Sequence, residues 1–388
     1  MIRNVKAITG ASYLSMFFLG VSASLIGAAA RNIGLSAYEI GLLIAVQNVG
    51  FVLSVSISGA LSDTYQKPRI LLVGSVILGF SFLTFYLSAF FWINLLIMFL
   101  IGVGIATYEG VTDAMLFDIH PERPSLHINV NHFFVTFGAI MITVYLLFLQ
   151  MNWRQAVVQS GMVVLGLAAA FAVMKLDRGP RQVEPYLDRL RMLTRERILL
   201  VLFIAMTLAV GVEISSISIL TTFLMELRGF SQVTSKIGLI VFLAGMATGR
   251  LTLGFFTQNE KISRHTLALL GLSFLFFTGL YFLDLGGLTY IAVYMAGISL
   301  SAILPMMITW AGLLYPDAAG TVLGVMKIAV PLGGIVVPFF MSLVAKSISF
   351  RASLLLFPAT LLLAMVVLFL EMRPIKFSGS ASAVEDAD

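Results

Sequence analysis

Ionisable side chains are scarce in this sequence, and a few of them fall inside long apolar stretches. Glu109 and Asp113 are four residues apart, so a helix would place them on one face about one turn apart. Two carboxylates that close in an apolar setting can share and carry a proton. The alternative is that one or both lie near the end of the stretch and pair with an arginine, which suits Asp113 better than the deeper Glu109.

A third carboxylate, Glu213, lies well inside a later apolar run that starts at Ile198. A charge at such depth is costly unless it faces a partner or a water-filled cavity, and it therefore marks a functional site by default. We predict that Glu109, Asp113 and Glu213 are the candidates for proton coupling.

Five further polar side chains at membrane depth are candidates for contact with a solute: Gln47, Asn48, Asn131, His132 and Lys327. His132 could relay protons, since an imidazole titrates near neutrality, or it could be a neutral hydrogen-bonded core residue. The amides could bind a polyhydroxylated ligand or only join two helices. Lys327 could pair with an anionic solute, with Glu213 or with Glu109.

Motifs of hydrolytic or nucleotide chemistry are missing from the sequence. There is no Walker A loop, no Gly-x-Ser-x-Gly elbow and no His-Glu-x-x-His pair. The chain also has no cysteine, which excludes disulfides, thiolate metal sites and thiol nucleophiles. We therefore expect no enzyme activity, no catalytic residue, no metal site and no cofactor.

The elements that must position these side chains are membrane-spanning helices. Of the 388 residues, 59% are hydrophobic and 11% charged, whereas soluble domains have about 25% charged residues. A helix needs about 20 apolar residues to cross a bilayer. Twelve stretches qualify, and they give an all-α membrane protein with twelve transmembrane helices: 7–30, 37–60, 69–88, 91–117, 127–149, 155–174, 198–224, 233–256, 265–283, 287–314, 318–345 and 350–371.

Most of the 24 lysines and arginines fall on one side when the N-terminus is placed in the cytoplasm. The positive-inside rule then puts both termini in the cytoplasm of a multi-pass inner-membrane protein. The net charge of +5 is explained by these loops, so we expect membrane lipids and no nucleic acid as partners.

The polar stretch from Lys175 to Arg197 holds seven basic residues and divides the spans six and six. We predict an N-terminal six-helix bundle over 1–175, a cytoplasmic linker over 176–197 and a C-terminal six-helix bundle over 198–372. The linker charge could also mark a lipid headgroup site. The tail over 373–388 has no periodicity and is predicted to be disordered.

The segment Gly59-x-Leu61-Ser62-Asp63-x-x-x-Lys67-x-Arg69 resembles the loop between helices 2 and 3 of the major facilitator superfamily. Gln66 and Thr64 stand where that family usually has a glycine and an arginine. The resemblance covers the chain in span count, linker position and size. It implies the major facilitator fold and a cytoplasmic gate braced by Asp63, Lys67 and Arg69.

A narrower resemblance is to the fucose/glucose-type proton symporters. Glu109 to Asp113 looks like their Glu-x-x-x-Asn in helix 4, Asn129 to Phe134 like their helix 5, Gly211 to Ser215 like their helix 7, and Gly249-Arg250 like the pair that ends helix 8. The resemblance implies that Glu109, Asn131, His132 and Glu213 line a central cavity and that Arg250 belongs to the gate. Departures are Ile219 in place of a sugar-stacking tryptophan, no acid in helix 1, Asp113 in place of an asparagine, and Lys327.

Three functions follow as hypotheses. The first is proton-coupled uptake of a sugar-like or other small polar solute by an alternating-access carrier, expected to be a monomer. The second is export of amphipathic compounds or organic ions, which the 31 phenylalanines and 19 methionines would suit. The third, a membrane receptor that moves no solute, is disfavoured because the chain has no sizeable soluble domain.

Overall fold

The computed structural model describes residues 4–35, 37–148, 152–176, 185, 188–189, 191 and 195–371. Twelve helices in these ranges are long and apolar enough to cross a membrane, which confirms the predicted number. The predicted tail over 373–388 and most of the predicted linker over 176–197 lie outside the described residues.

The first six spans are single helices: Val5–Ile33, Ala37–Thr64, Lys67–Thr84, Phe91–Ile119, Pro124–Phe148 and Trp153–Val173. Spans seven to nine are also continuous: Arg197–Arg228, Gln232–Phe256 and Ile262–Phe282, the last preceded by a turn of 3₁₀ helix at Asn259–Lys261. The second helix extends to Thr64, beyond the predicted limit at 60, so Asp63 lies on the helix itself.

The last three spans are each built from two helices. The tenth comprises Thr289–Ser301 and Ile303–Leu314 after a 3₁₀ turn at Gly286–Leu288. The eleventh comprises Ala319–Met326 and Ala329–Ser347 after a 3₁₀ turn at Pro316–Ala318, and the twelfth comprises Phe350–Ser353 and Leu356–Leu370. Pro305, Pro331 and Pro338 predict joints in the tenth and eleventh spans, because a proline removes one backbone hydrogen bond within a helix, whereas the break in the twelfth span was not predicted. The break in the eleventh span falls at Lys327 and Ile328.

Local sequence explains several helix ends. The side chains of Asn152, Ser231 and Ser349 accept hydrogen bonds from the backbone three residues later, which satisfies free N–H groups of the first turn. Pro68 lies in the first turn of the third helix, where its missing N–H costs nothing. Gly229 ends the seventh helix with φ of 70°, a conformation that glycine adopts without strain.

Each half of the chain uses the same scheme of helix pairing. In the first half the second span packs on the fourth, the first on the fifth and the third on the sixth. In the second half the eighth packs on the tenth, the seventh on the eleventh and the ninth on the twelfth. One hydrophobic core cluster lies within the first half, and the other lies mainly within the second half.

The halves meet mainly at the end of the molecule where the second and third spans join, which we call the Asp63 end. There the second span packs on Ala319–Met326, and the fifth span packs on the eighth. Gly59 lies so close to Gly320 and Gly324 that a β-carbon on it would lie 2.5 Å from the Gly320 carbonyl oxygen. The absence of side chains at these glycines therefore permits the close approach of the two halves.

Candidate functional site

A buried charged cluster lies between the two halves, built from the fourth, fifth and eleventh spans. Lys327 is 0% exposed, and its Nζ lies 2.6 Å from Asp113 Oδ2 and 3.2 Å from Glu109 Oε1. The same ammonium donates to the backbone carbonyl oxygen of Glu109. Its acceptors in the described structure thus all belong to the fourth span of the opposite half.

Asp113 is surrounded by donors at both carboxylate oxygens. Asn131 Nδ2 donates to Asp113 Oδ1 at 2.6 Å and to Thr112 Oγ1 at 2.9 Å. His132 Nε2 lies 3.0 Å from Asp113 Oδ2, the oxygen that also receives Lys327. A buried carboxylate needs such saturation, because its desolvation is otherwise very costly.

Glu109 is less completely paired than Asp113. Its Oε1 lies 3.2 Å from Lys327 Nζ and 3.9 Å from His132 Nε2, and its side chain is 7% exposed. It lies ten residues before the end of the fourth helix at Ile119, or about 15 Å along the axis at 1.5 Å per residue. The cluster is therefore deep in the apolar layer rather than at its rim.

The same groups also resemble a metal site in composition. One possible ligand atom from each of Glu109, Asp113 and His132 lies within 4.8 Å of the others. However, the ammonium of Lys327 already lies against both carboxylates and supplies the positive charge that a metal would bring. We therefore assign no metal to this cluster.

A second charged pair ties four spans together beside the first cluster. Arg250 Nη2 lies 2.8 Å from Glu213 Oε1, and Nε donates to the Ser301 carbonyl at 3.1 Å. Nη1 donates to the backbone carbonyl of His132 at 3.1 Å and to Thr136 Oγ1. Arg250 is 4% exposed, so it joins the halves from inside and does not reach the membrane surface.

Asp63 bridges the halves at the Asp63 end. Its Oδ1 accepts from the Gly320 N–H at 2.7 Å, and its Oδ2 accepts from the Thr321 N–H at 2.8 Å and the Thr321 hydroxyl at 2.6 Å. Arg189 Nη1 lies 2.7 Å from the same Oδ2. The carboxylate thus caps the start of Ala319–Met326, where free N–H groups favour an anion.

The two basic residues of the predicted gate have different environments. Lys67 is buried, lies 2.7 Å from Asp118 Oδ2 and donates to the Ser62 carbonyl at 2.9 Å, so these contacts lie within its own half. Arg69 is exposed and forms no ion pair with the part of the chain that the structure describes.

The two amides of the second span lie apart from the charged cluster. The Gln47 carbonyl packs against Gly102, which is seven residues, or about 10 Å along the fourth helix, from Glu109. The side chain of Gln47 is buried, whereas that of Asn48 is half-buried. Their role as solute contacts, like that of Lys327, stays a prediction.

Several residues of these networks escaped the sequence analysis. Thr112 and Thr136 are near neighbours of residues that the sequence identified, so their positions carried a signal. Arg189 and Thr321 carried none, because only the tertiary fold brings them to Asp63.

Two stacked imidazoles are a further feature that the sequence alone does not indicate. The rings of His120 and His127 have centroids 3.5 Å apart and nearly parallel planes. His120 Nε2 lies 2.8 Å from Thr9 Oγ1, and His127 Nδ1 lies 2.7 Å from the Tyr13 hydroxyl. Partial burial lowers the pKa of His120, which follows the end of the fourth span.

Comparisons with known proteins agree with this geometry. The family model of the Major Facilitator Superfamily matches residues 8–329. No curated protein sequence matches the chain.

Three solved structures share the fold at low identity. A variant of the fucose:proton symporter of E. coli superposes with a TM-score of 0.77 at 16% identity, covering 95% of this chain and 99% of that chain. A proton:xylose symporter bound to 6-bromo-6-deoxy-D-glucose gives 0.73 at 13% identity, covering 94% of this chain and 95% of that chain. The human organic anion transporter TETRAN gives 0.74 at 16% identity, covering 94% and 99%. The match of the family model over residues 8–329 confirms the resemblance that the Asp63 segment suggested, and this chain belongs to the Major Facilitator Superfamily.

Proposed function

We propose that this protein is a secondary active transporter that takes up a small polar solute together with a proton by alternating access. The observation that carries the proposal is the deep cluster of Glu109, Asp113, His132 and Lys327 between the two halves of the chain. Ionisable groups at such depth are retained at a cost, and proton pathways are a common reason for that cost.

The charge of the cluster supports coupling to a cation. Two carboxylates and one ammonium leave one surplus negative charge when His132 is neutral, while Glu213 is balanced by Arg250. A proton taken up by one of these carboxylates would remove the surplus. Glu109 and Asp113 are therefore the proposed carriers of that proton, and Glu213 remains a proposed carrier because of its depth in the seventh span.

A sugar-like solute is the proposed cargo. The groups proposed to contact it are Gln47, Asn48, Asn131 and His132, and two of the structural neighbours are described as sugar:proton symporters.

The proposed setting is the inner membrane, with the Asp63 end and both termini in the cytoplasm. We propose that the protein works as a monomer.

The test is uptake of labelled sugars into proteoliposomes with and without an imposed pH gradient. Glu109→Gln and Glu213→Gln should abolish gradient-driven accumulation while the wild type accumulates solute. Glu226→Gln is a matched control, because Glu226 lies on the same span as Glu213 but is exposed. Proton coupling would be refuted if solute accumulation by the wild type did not depend on the pH gradient and if Glu213→Gln accumulated as much solute as the wild type.

Export of amphipathic compounds or organic ions is the second candidate, and one observation favours it. An apolar crevice of about 600 Å³ lies between the first, fifth and sixth spans, with Phe17, Phe137 and Met141 among its lining residues. Such a surface suits varied apolar cargo. Raised intracellular accumulation of a fluorescent amphiphile after deletion of the gene would support export, and unchanged accumulation would count against it.

A further inference from the structure

Lys327 stands at the joint between two helical segments that are held by different halves of the molecule. It follows Ala319–Met326 and precedes Ala329–Ser347. The first segment is bound to the opposite half, through Asp63 at Gly320 and Thr321 and through the close approach of Gly324 to the second span.

The second segment packs within its own half. Gly333 and Gly211 allow the backbones of the eleventh and seventh spans to touch, and a β-carbon on Gly333 would lie 2.4 Å from the Thr207 carbonyl oxygen. Any opening of the Asp63 end must separate the first segment from the opposite half. The joint at Lys327 is where the eleventh span changes partners.

The ammonium of Lys327 crosses that boundary. It is fully buried, and its acceptors are Asp113 Oδ2, Glu109 Oε1 and the Glu109 carbonyl, all on the fourth span. Opening would pull a cation from two anions in a setting with little water. Breaking a buried pair by removing one partner is strongly destabilising, so these contacts hold the end closed.

We propose that Lys327 is a tethered cation that latches the two halves together at the Asp63 end, and that protonation of Glu109 weakens the latch. The inference rests on the proposed proton coupling and names the contact between the halves that the proton would weaken. A proton on Glu109 removes one of the two anionic partners of the ammonium. The proposal gives Lys327 a role in coupling rather than in holding the solute.

Other charged groups near the fourth span have partners of their own. From the fifth span, His132 faces both carboxylates and Asn131 faces Asp113. From the third span, Lys67 pairs with Asp118 and Ser75 accepts from Tyr108, and from the first span Thr9 contacts His120. On the second span, Asp63 is bound to Thr321. Arg250 pairs with Glu213 and donates to the His132 carbonyl. Among the described residues, Lys327 is thus the cation that contacts Glu109 and Asp113 from the opposite half.

The experiment measures opening of the Asp63 end directly. Because the chain has no cysteine, Glu122→Cys and Gln258→Cys can carry spin labels without background. Both positions are exposed and line one crevice between the halves. The distance between the labels is measured at pH 8 and pH 5 in the wild-type background, in Lys327→Met and in Lys346→Met, whose exposed lysine lies on the same span.

The wild type and Lys346→Met should give a short label distance at pH 8 and a longer one at pH 5. Lys327→Met should give the long distance at both values. A Lys327→Met protein that follows the pH response of the wild type would overturn the proposal.

Should Lys327→Met fail to fold, the double variant Lys327→Met/Asp113→Asn removes the cation with one of its anions. The same criterion then applies to the double variant: the long distance at both pH values supports the latch, and a wild-type response overturns it. Solute uptake is measured in parallel. Wild type that moves no solute while its labels respond as expected would refute the transport function and leave the latch intact.

Discussion

Replacement of Asp63 by asparagine should open the Asp63 end. The carboxylate receives two N–H groups and one hydroxyl from Gly320 and Thr321, and it pairs with Arg189 at 2.7 Å. Asparagine keeps one acceptor oxygen, loses the charge and turns a donor toward other donors. Removal of one partner of a buried ion pair costs about 3–5 kcal/mol.

Each 1.4 kcal/mol is a factor of ten, so the ratio of closed to open protein should fall roughly 10²- to 4 × 10³-fold. The label pair at positions 122 and 258 measures this ratio. Asp284→Asn is the control, because Asp284 is exposed and lies in the loop before the tenth span. If Asp63→Asn leaves the distance distribution of the labels unchanged, the four contacts do not hold this end closed and the reasoning fails.

Two further predictions concern packing and pH. Gly59→Ala should also favour the open form by about 1–3 kcal/mol, because its β-carbon would meet Gly320 and Gly324, whereas Gly10→Ala meets nothing within 4 Å and should behave as wild type in the same label measurement. The lowered pKa of His120 means that the unfolded chain binds more protons as the pH falls below about 6.5, so stability should decrease there. In a thermal-shift series, the melting temperature of His120→Gln should fall less between pH 7.5 and pH 5.5 than that of the wild type. An equal fall would contradict the role given to His120.

The spans and the segment from Gly59 to Arg69 could be predicted because they depend on local properties of the sequence. Twelve apolar stretches of sufficient length are visible in the composition of the chain, and the Asp63 segment is a contiguous motif. The breaks in the tenth and eleventh spans could be anticipated from their prolines and glycines, but their positions could not, and the break in the twelfth span was not anticipated. Lys327, at the break of the eleventh span, carries no local signal of one.

The pairing of charges could be predicted only as a set of alternatives. Lys327 was expected to meet a solute, Glu213 or Glu109, and it lies against Glu109 and Asp113, more than 200 residues away in sequence. Glu213 pairs with Arg250 instead. Such choices depend on how the two halves pack, which no local pattern determines.

Asp113 and Lys327 are two departures from the symporter pattern, and each explains the presence of the other. The resemblance led us to expect an asparagine at position 113 and no lysine at position 327, and the two side chains meet at 2.6 Å with neither exposed. One extra anion and one extra cation leave the net charge of the cluster unchanged. A buried anion alone would be very costly, and so would a buried ammonium, so each is tolerable because the other is present. The added pair crosses the boundary between the halves, and it is therefore in a position to make opening depend on the charge of the cluster.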